Sequence, residues 1–447
     1  MSKRLFAGVS ISLQARFTPR FATTAKGQHS GRLDRQPQHA EPPPFLIERM
    51  SRIPYVPLLT ALTVQTLATM AAYSIAAAAP SISNELQVPG EYVGLFVSIV
   101  YGLGMVSAMF SPSFIHRYGA VRVSQVIMVA TLAMIITASL GGTVATLAIS
   151  AVLLGCGYGA TAPTSSHLLM KRTPTDIRNL VFSIRQIGVP LGGVLGGLIV
   201  PPLVLGYSWQ TALLVQIIPA VIMLTILQFM RREYDADKDP GHAIRAKGLI
   251  GPLMLLRTMP ELRVLTAAVF FYAGTQLCFV AYTSVHLTSQ AGFGLVAAGQ
   301  MLATYQLSGV ISRPIWGVIA DKWIPARAML IAMGFVMAAM AVLAGSFSEQ
   351  WSWIGIFVVS IVAGATASGY TGLAFAEYAR MGGPEKAAET TGLGASSQFF
   401  GVMLLPSSFS FIVAAGGYGL AYEVIAVLAA LSGAGLWIFG GQRSSSA

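Results

Sequence analysis

Charged residues are missing from long intervals of this chain, and that absence constrains the fold more than any other feature. None stands between Arg52 and Glu85, between Glu91 and Arg117, or between Arg122 and Lys171. A helix needs about 20 mostly apolar residues to cross ~30 Å of hydrocarbon, so the first two intervals hold one crossing each. The third holds two, divided at Gly141-Gly142. Further pairs fit Leu180 to Met230, divided at Pro201-Pro202, and Val264 to Ala320, divided near Gly292-Phe293-Gly294. Arg327 to Glu349, Gln350 to Tyr378, Glu389 to Glu423 and Glu423 to Arg443 supply single crossings. The spacing predicts twelve transmembrane helices. Composition agrees: 54% of residues are apolar and only 10% charged, against about 25% charged in soluble domains. The two cysteines, Cys156 and Cys278, lie in apolar runs and form neither a disulfide framework nor a CxxC motif.

The basic residues set the expected orientation, because cytoplasmic loops retain Lys and Arg. With the N-terminus inside, all but two of the 28 Lys and Arg fall in inner segments or tails. The exceptions, Arg185 and Arg313, lie within helices, and the outer loops carry none. Both termini are therefore expected to be cytoplasmic and the chain multi-pass in a plasma (inner) membrane. This distribution also accounts for the formal charge of +11 without invoking nucleic acid.

A polar stretch, residues 231–263, divides the helices six and six, giving bundles over 53–230 and 264–440. The halves share a thin similarity in register: Gly157-Tyr158 and Gln186 match Gly369-Tyr370 and Gln398 at one offset. Residues 1–52 read as a disordered basic tail, rich in Arg and Ser/Thr, and 441–447 as a short C-terminal tail. Met50 would itself make an ordinary start, so the sequence leaves open whether residues 1–49 belong to the natural protein.

The run Gly317-Val318-Ile319-Ala320-Asp321-Lys322-Trp323-Ile324-Pro325-Ala326-Arg327 resembles the signature of the major facilitator superfamily, G-x-x-x-D-[RK]-x-G-[RK]-[RK], at the turn between helices eight and nine. The corresponding turn of the first half keeps Arg117 and Gly119 but has His116 where the family has Asp. The resemblance implies two pseudo-symmetric six-helix bundles and a conformational latch. In it Asp321 caps a neighbouring helix end and Lys322 and Arg327 pair with acids, Glu377 being the candidate partner. Helix five carries Gly188, Pro190, Gly192 and Gly193 in a motif similar to one of that superfamily, in wording closest to its cyanate-permease-like branch. Small residues at such spacing let helices approach closely, and a hinge is expected there. Ser312-Arg313-Pro314-Ile315-Trp316-Gly317 resembles helix eight of monocarboxylate and oxalate carriers, in which the Arg meets the substrate carboxylate.

An ionisable group within a span is costly and marks function by default, although long cations near helix ends can snorkel to the interface. Arg313 lies about 12 Å along the helix from Asp321, too deep for easy snorkelling, and substrate contact and a structural pair both stay open for it. Arg185 is nearer a helix end and reads as interfacial or gate-lining. Tyr101, Gln306, Tyr370 and Gln398 are the neutral polar candidates for the cavity that the family implies. Glu377, Glu423 and His286 are candidates for a coupling proton, since burial raises a carboxylate pKa and His titrates near neutrality. No acid lies between Arg52 and Glu85, which disfavours organic cations as cargo.

The expected function is secondary active transport by alternating access, with a small organic anion, a carboxylate, as solute and a proton as candidate co-solute. Efflux of neutral or amphipathic compounds is the alternative, and a non-transporting membrane receptor the reading from another class. The chain shows no clustered catalytic residues, P-loop or nucleophile elbow, so no enzyme, metal or cofactor is expected. The expected partners are the solute and the bilayer, with the chain as a monomer.

Overall fold

Short polar or glycine turns divide the apolar intervals into separate rods; the break expected at Pro201-Pro202 falls instead at Tyr207-Ser208, and both prolines lie inside the fifth rod. The computed structural model describes residues 52–87, 91–242, 244 and 251–439. The basic N-terminal tail to residue 51 and the C-terminal tail from 440 lie outside the described residues. The chain divides into two units, Met1–Ile47 and Glu48–Ala447, and everything that follows concerns the second.

Its rods are α1 (Tyr55–Ala77), α2 (Glu91–Tyr118), α3 (Ala120–Gly141), α4 (Val144–Met170), α5 (Thr175–Gly206) and α6 (Trp209–Tyr234). The second half begins with α7 (Pro260–Ser289), α8 (Leu295–Lys322) and α9 (Ala326–Gly345). After Trp353 the helical path continues to Phe439. A helix of that length would extend about 130 Å, more than four hydrocarbon thicknesses. Gly383 (φ 63°) and Gly417 (φ 81°) break it, because glycine alone adopts that backbone without a Cβ clash. The pieces are α10 (353–382), α11 (384–416) and α12 (417–439), which complete twelve. Residue charge had marked Glu423 as the boundary of the last rod; the break falls earlier, at Gly417, and places Glu423 on the exposed side of α12. The polar stretch between the halves also carries a short helix, Gly251–Thr258, that composition did not mark.

Two apolar cores form, one in each half. One gathers residues such as Ile75, Ile127, Leu154 and Trp209 from α1 to α6; the other gathers Tyr272, Met337, Tyr370 and Tyr422 from α7 to α12. A third and smaller cluster joins them, with Phe182 of α5 against Phe375 and Ala379 of α10. Small residues set the spacing. Gly188, Gly192 and Gly196, four apart, turn one stripe of α5 to α1, where a Cβ on Gly192 would stand 2.5 Å from Thr66 O. Across the halves, a Cβ on Gly372 of α10 would meet Ser183 of α5 at 2.5 Å, and one on Gly392 of α11 would meet Ala108 O of α2 at 2.5 Å.

Candidate functional site

The site sits between the two cores. A cavity of about 100 Å³ is lined from the first half by Gln65, Tyr73, Tyr101, Tyr158, Arg185 and Gln186, and from the second by Gln276, Arg313, Gln398 and Phe399. Helix defects make it. Pro190 has no N–H to give to the carbonyl four residues before it, which is Gln186 O, and α5 is interrupted at Ile187. The freed Gln186 O accepts from Arg313 Nη1 at 2.8 Å. On the opposite side, α10 widens into a π-turn at Gly364–Ser368. Such turns insert a surplus residue and recur at functional positions. Ser368 O accepts from Arg313 Nε (3.2 Å) and Nη2 (3.0 Å), and Ala365 O accepts from Trp316 Nε1 at 2.7 Å. Arg313 of α8 is thus clamped between backbone carbonyls of α5 and α10.

Arg185 is held by side chains instead. Its guanidinium donates to Gln186 Oε1 and, at 3.0 Å, to Gln65 Oε1. Gln65 Nε2 passes the bond to Thr69 Oγ1 (3.0 Å), which meets the Tyr158 hydroxyl at 3.2 Å. Arg185 and Arg313 are 3% and 2% exposed, and neither forms an ion pair among the described residues. Taking a cation out of water costs several kcal/mol, and here only neutral dipoles offset it. Above them stands an aromatic wall: Phe399 stacks on Tyr101 with centroids 5.6 Å apart and tilts against Tyr158 at 5.8 Å. The Tyr101 hydroxyl meets that of Tyr73 at 3.3 Å.

Of the residues singled out from sequence, Arg185, Arg313, Tyr101 and Gln398 line this cavity. Gln306 is half-buried and Tyr370 fully buried, and neither lines it. Tyr370 packs edge-on to Tyr272, with its hydroxyl lacking a hydrogen-bond partner. Arg185, expected as an interfacial or gate-lining cation and as a substrate-binding candidate, is buried in the cavity wall. Phe399 was not foreseen, although Ala395, Gln398, Phe399 and Val402 line the cavity at helical spacing. None of the proton-coupling candidates reaches it. Glu377 takes a bidentate pair from Arg380 at 2.6 and 2.7 Å, Glu423 is exposed, and His286 lies 4.5 Å from the Tyr418 ring in an aromatic cage.

The residues expected to form a latch lie at the two turns where α2 joins α3 and α8 joins α9. Asp321 accepts from the backbone N–H groups of Asn179 and Leu180, both at 3.0 Å, and so caps the N-terminus of the α5 helix proper. Gly317 permits this approach, since a Cβ there would stand 2.7 Å from Leu180 Cα. Glu377, the candidate partner for Lys322 and Arg327, is instead taken by Arg380; Arg327 donates to Leu436 O at 2.6 Å, and Lys322 lies over the Trp323 ring. Its three-residue spacing from Arg380 on one helix decides that pairing. In the first half, His116 Nε2 meets Glu389 Oε1 of α11 at 2.9 Å. Gly119 (φ 95°) leaves room for Asp235, whose carboxylate caps α3 through Val121 N (2.7 Å) and Arg122 N (2.9 Å). Arg117 donates to His242 O. Nearby, Asp237 binds His167 and Lys171, and hydrogen bonding from His167, then Lys171, holds its carboxyl below the usual range.

Comparison with known proteins agrees with this architecture. The chain is 22% identical over 315 residues, 63% of its length and 68% of the relative's, to the 4-hydroxybenzoate transporter PcaK of Acinetobacter baylyi. It is 24% identical over 259 residues to the hexuronate transporter of Bacillus subtilis, covering 56% of this chain and 60% of that one. Among solved structures, a human organic anion transporter superposes with a TM-score of 0.69 at 16% identity, over 86% of this chain and 100% of the other. The proton:xylose symporter XylE superposes at 0.67 and 14% identity, over 86% and 95%. The family model of the Major Facilitator Superfamily matches residues 61–406. The chain is a multi-pass membrane transporter that belongs to the Major Facilitator Superfamily.

Proposed function

We propose that this protein is a secondary active transporter of small organic anions, moved by alternating access of the two bundles about the cavity between them. The observation that carries the reading is the pair of buried guanidiniums, Arg185 and Arg313, facing one cavity without a protein carboxylate. A solute carboxylate supplies the missing countercharge through strong, charge-assisted hydrogen bonds, and the Tyr101, Tyr158 and Phe399 faces receive its carbon skeleton. The two relatives described above are named for carboxylate solutes, 4-hydroxybenzoate and hexuronate, which supports the same class. Extrusion of neutral or amphipathic compounds leaves both cations without a task, and a receptor that binds an anion without moving it is distinguished by the uptake assay below.

Asp321 on α5 and His116 on Glu389 act in this reading as the latch that holds the halves together at one end, with Gly317, Lys322, Arg327, Arg117 and Gly119 shaping the turns. The break around Gly188 and Pro190 serves as the hinge. Both termini face the cytoplasm, in accord with the distribution of Lys and Arg, and the protein works as a monomer in the plasma (inner) membrane. His286, 1% exposed and surrounded by the Phe347, Tyr418 and Tyr422 rings, is a candidate to carry a coupling proton beside Glu377 and Glu423. The test is uptake of radiolabelled aromatic and sugar carboxylates into proteoliposomes, with and without an inward proton gradient. Arg313→Ala is expected to lower uptake at least tenfold; unchanged uptake by that variant refutes the reading.

A further inference from the structure

Two grooves on the outer face of the first bundle meet at one cation. The first, of about 540 Å³, runs between α2, α3 and α4 along Leu103, Val106, Phe110 and Phe114, and ends at Tyr118 and Arg122. The second, of about 500 Å³, lies on the other side of α3 against α6, between Val129 and Leu224. Arg122 and Val126 belong to both. From Leu103 to Tyr118 the first groove follows α2 for about 22 Å, enough for a chain that spans one ~15 Å leaflet of hydrocarbon and its interface.

The closed end is polar and basic. Arg122 is exposed, and its Nη1 donates to Gln125 Oε1 at 2.9 Å, while Gln125 Nε2 donates to Gln228 Oε1 of α6 at 2.9 Å. Arg122 makes no ion pair among the described residues. The backbone donors of the α3 N-terminus are occupied by Asp235, so the donors still open to an anion are those of the Arg122 side chain. Both grooves end at one guanidinium: the first is long enough for a whole acyl chain, and the second, which follows α3 from Arg122 to Val129 for about 10 Å, takes the first part of another chain beside Val126, Val129 and Leu224.

We propose that α3 carries a binding site for a single anionic glycerophospholipid, its phosphate at Arg122 beside the Gln125–Gln228 pair and one acyl chain in each groove. A free phosphate would leave the grooves empty, and a single-chain amphiphile would fill only one. The site is separate from the solute cavity, which shares none of these lining residues.

The purified full-length protein in detergent is titrated with phosphatidylglycerol, phosphatidylcholine, lyso-phosphatidylglycerol or inorganic phosphate, with retained lipid read by native mass spectrometry and stability by thermal melting. One phosphatidylglycerol is expected to be retained per protein and to raise the melting temperature by several degrees, with at least tenfold weaker retention of the other three. Arg122→Gln, which removes the cation, and Val106→Trp and Thr225→Trp, which fill one groove each, are expected to lose that retention. Retention of phosphatidylglycerol by Arg122→Gln at the wild-type level overturns the proposal. So does equal retention of phosphatidylcholine or of the single-chain lipid, or a melting shift reproduced by inorganic phosphate.

Discussion

Arg313 and Arg185 solve the same difficulty by different means, and substitutions at the two should behave differently. Arg313 uses three of its nitrogens on backbone carbonyls at fixed positions, a forked geometry that a lysine ammonium cannot reproduce. Arg313→Lys is therefore expected to retain the charge yet lose anion uptake about tenfold, measured as a rise in KM or a fall in kcat for a transported carboxylate. Arg185 leans on two glutamine side chains that can follow a shorter cation, so Arg185→Lys is expected to lose less in the same assay. Asp321 acts through geometry at the latch. Removing its three hydrogen bonds to Asn179 and Leu180 leaves the α5 N-terminus uncapped, at a cost of about 1–2 kcal/mol. Asp321→Ala should lower the melting temperature, with Asp321→Asn recovering part of the loss. At this scale the sequence exposed the two in-span cations through hydrophobicity alone. It hid their partners, because backbone carbonyls carry no residue signature.

The elements were legible where polarity or glycine punctuates them, and illegible where the cause is a local defect. Charge-free intervals located the rods, and Gly292 and Gly142 end helices with positive φ where breaks were expected. The π-turn in α10 has no such mark: Gly364–Ser368 reads as ordinary small-residue helix. The latch of the first half likewise needed coordinates, since the partner of His116 lies on α11, far along the chain. His116→Asp, which restores the acid found at this position in the superfamily signature, places two carboxylates face to face across the halves. Repulsion should loosen this end, and a cysteine pair placed across α2 and α11 there should crosslink at least several-fold more slowly than in the parent pair. Gly317→Val sets a branched side chain where a bare Cβ already stands 2.7 Å from Leu180 Cα. It is expected to separate α8 from α5 and reduce both melting temperature and uptake.

For the whole molecule, the linker between the halves is tied to the first bundle by ion pairs, and their response to pH can be worked out. Asp237 has its folded-state pKa lowered by hydrogen bonding from His167 and by Lys171. Its contribution to stability is thus fully present above the unfolded carboxyl value of about 3.9 and is lost as pH falls below that toward the folded value. Asp237→Asn should melt below the wild type at pH 7, with the difference shrinking once the pH drops under about 4. Fold class and rod number followed from composition and spacing. The cavity did not, because it depends on which faces of α2, α5, α8 and α11 turn inward once two bundles pack.

The interrupted ladders of α5 and α10 have a consequence for how this site can change. Arg313 is fastened to main chain that Pro190 and one surplus residue in α10 leave available. Cavity-lining side chains can therefore be exchanged to suit another cargo without unseating the cation, whereas deleting a single residue from 364–368 would close the wide turn, rotate the helix beyond it by about 100° and withdraw the anchorage altogether.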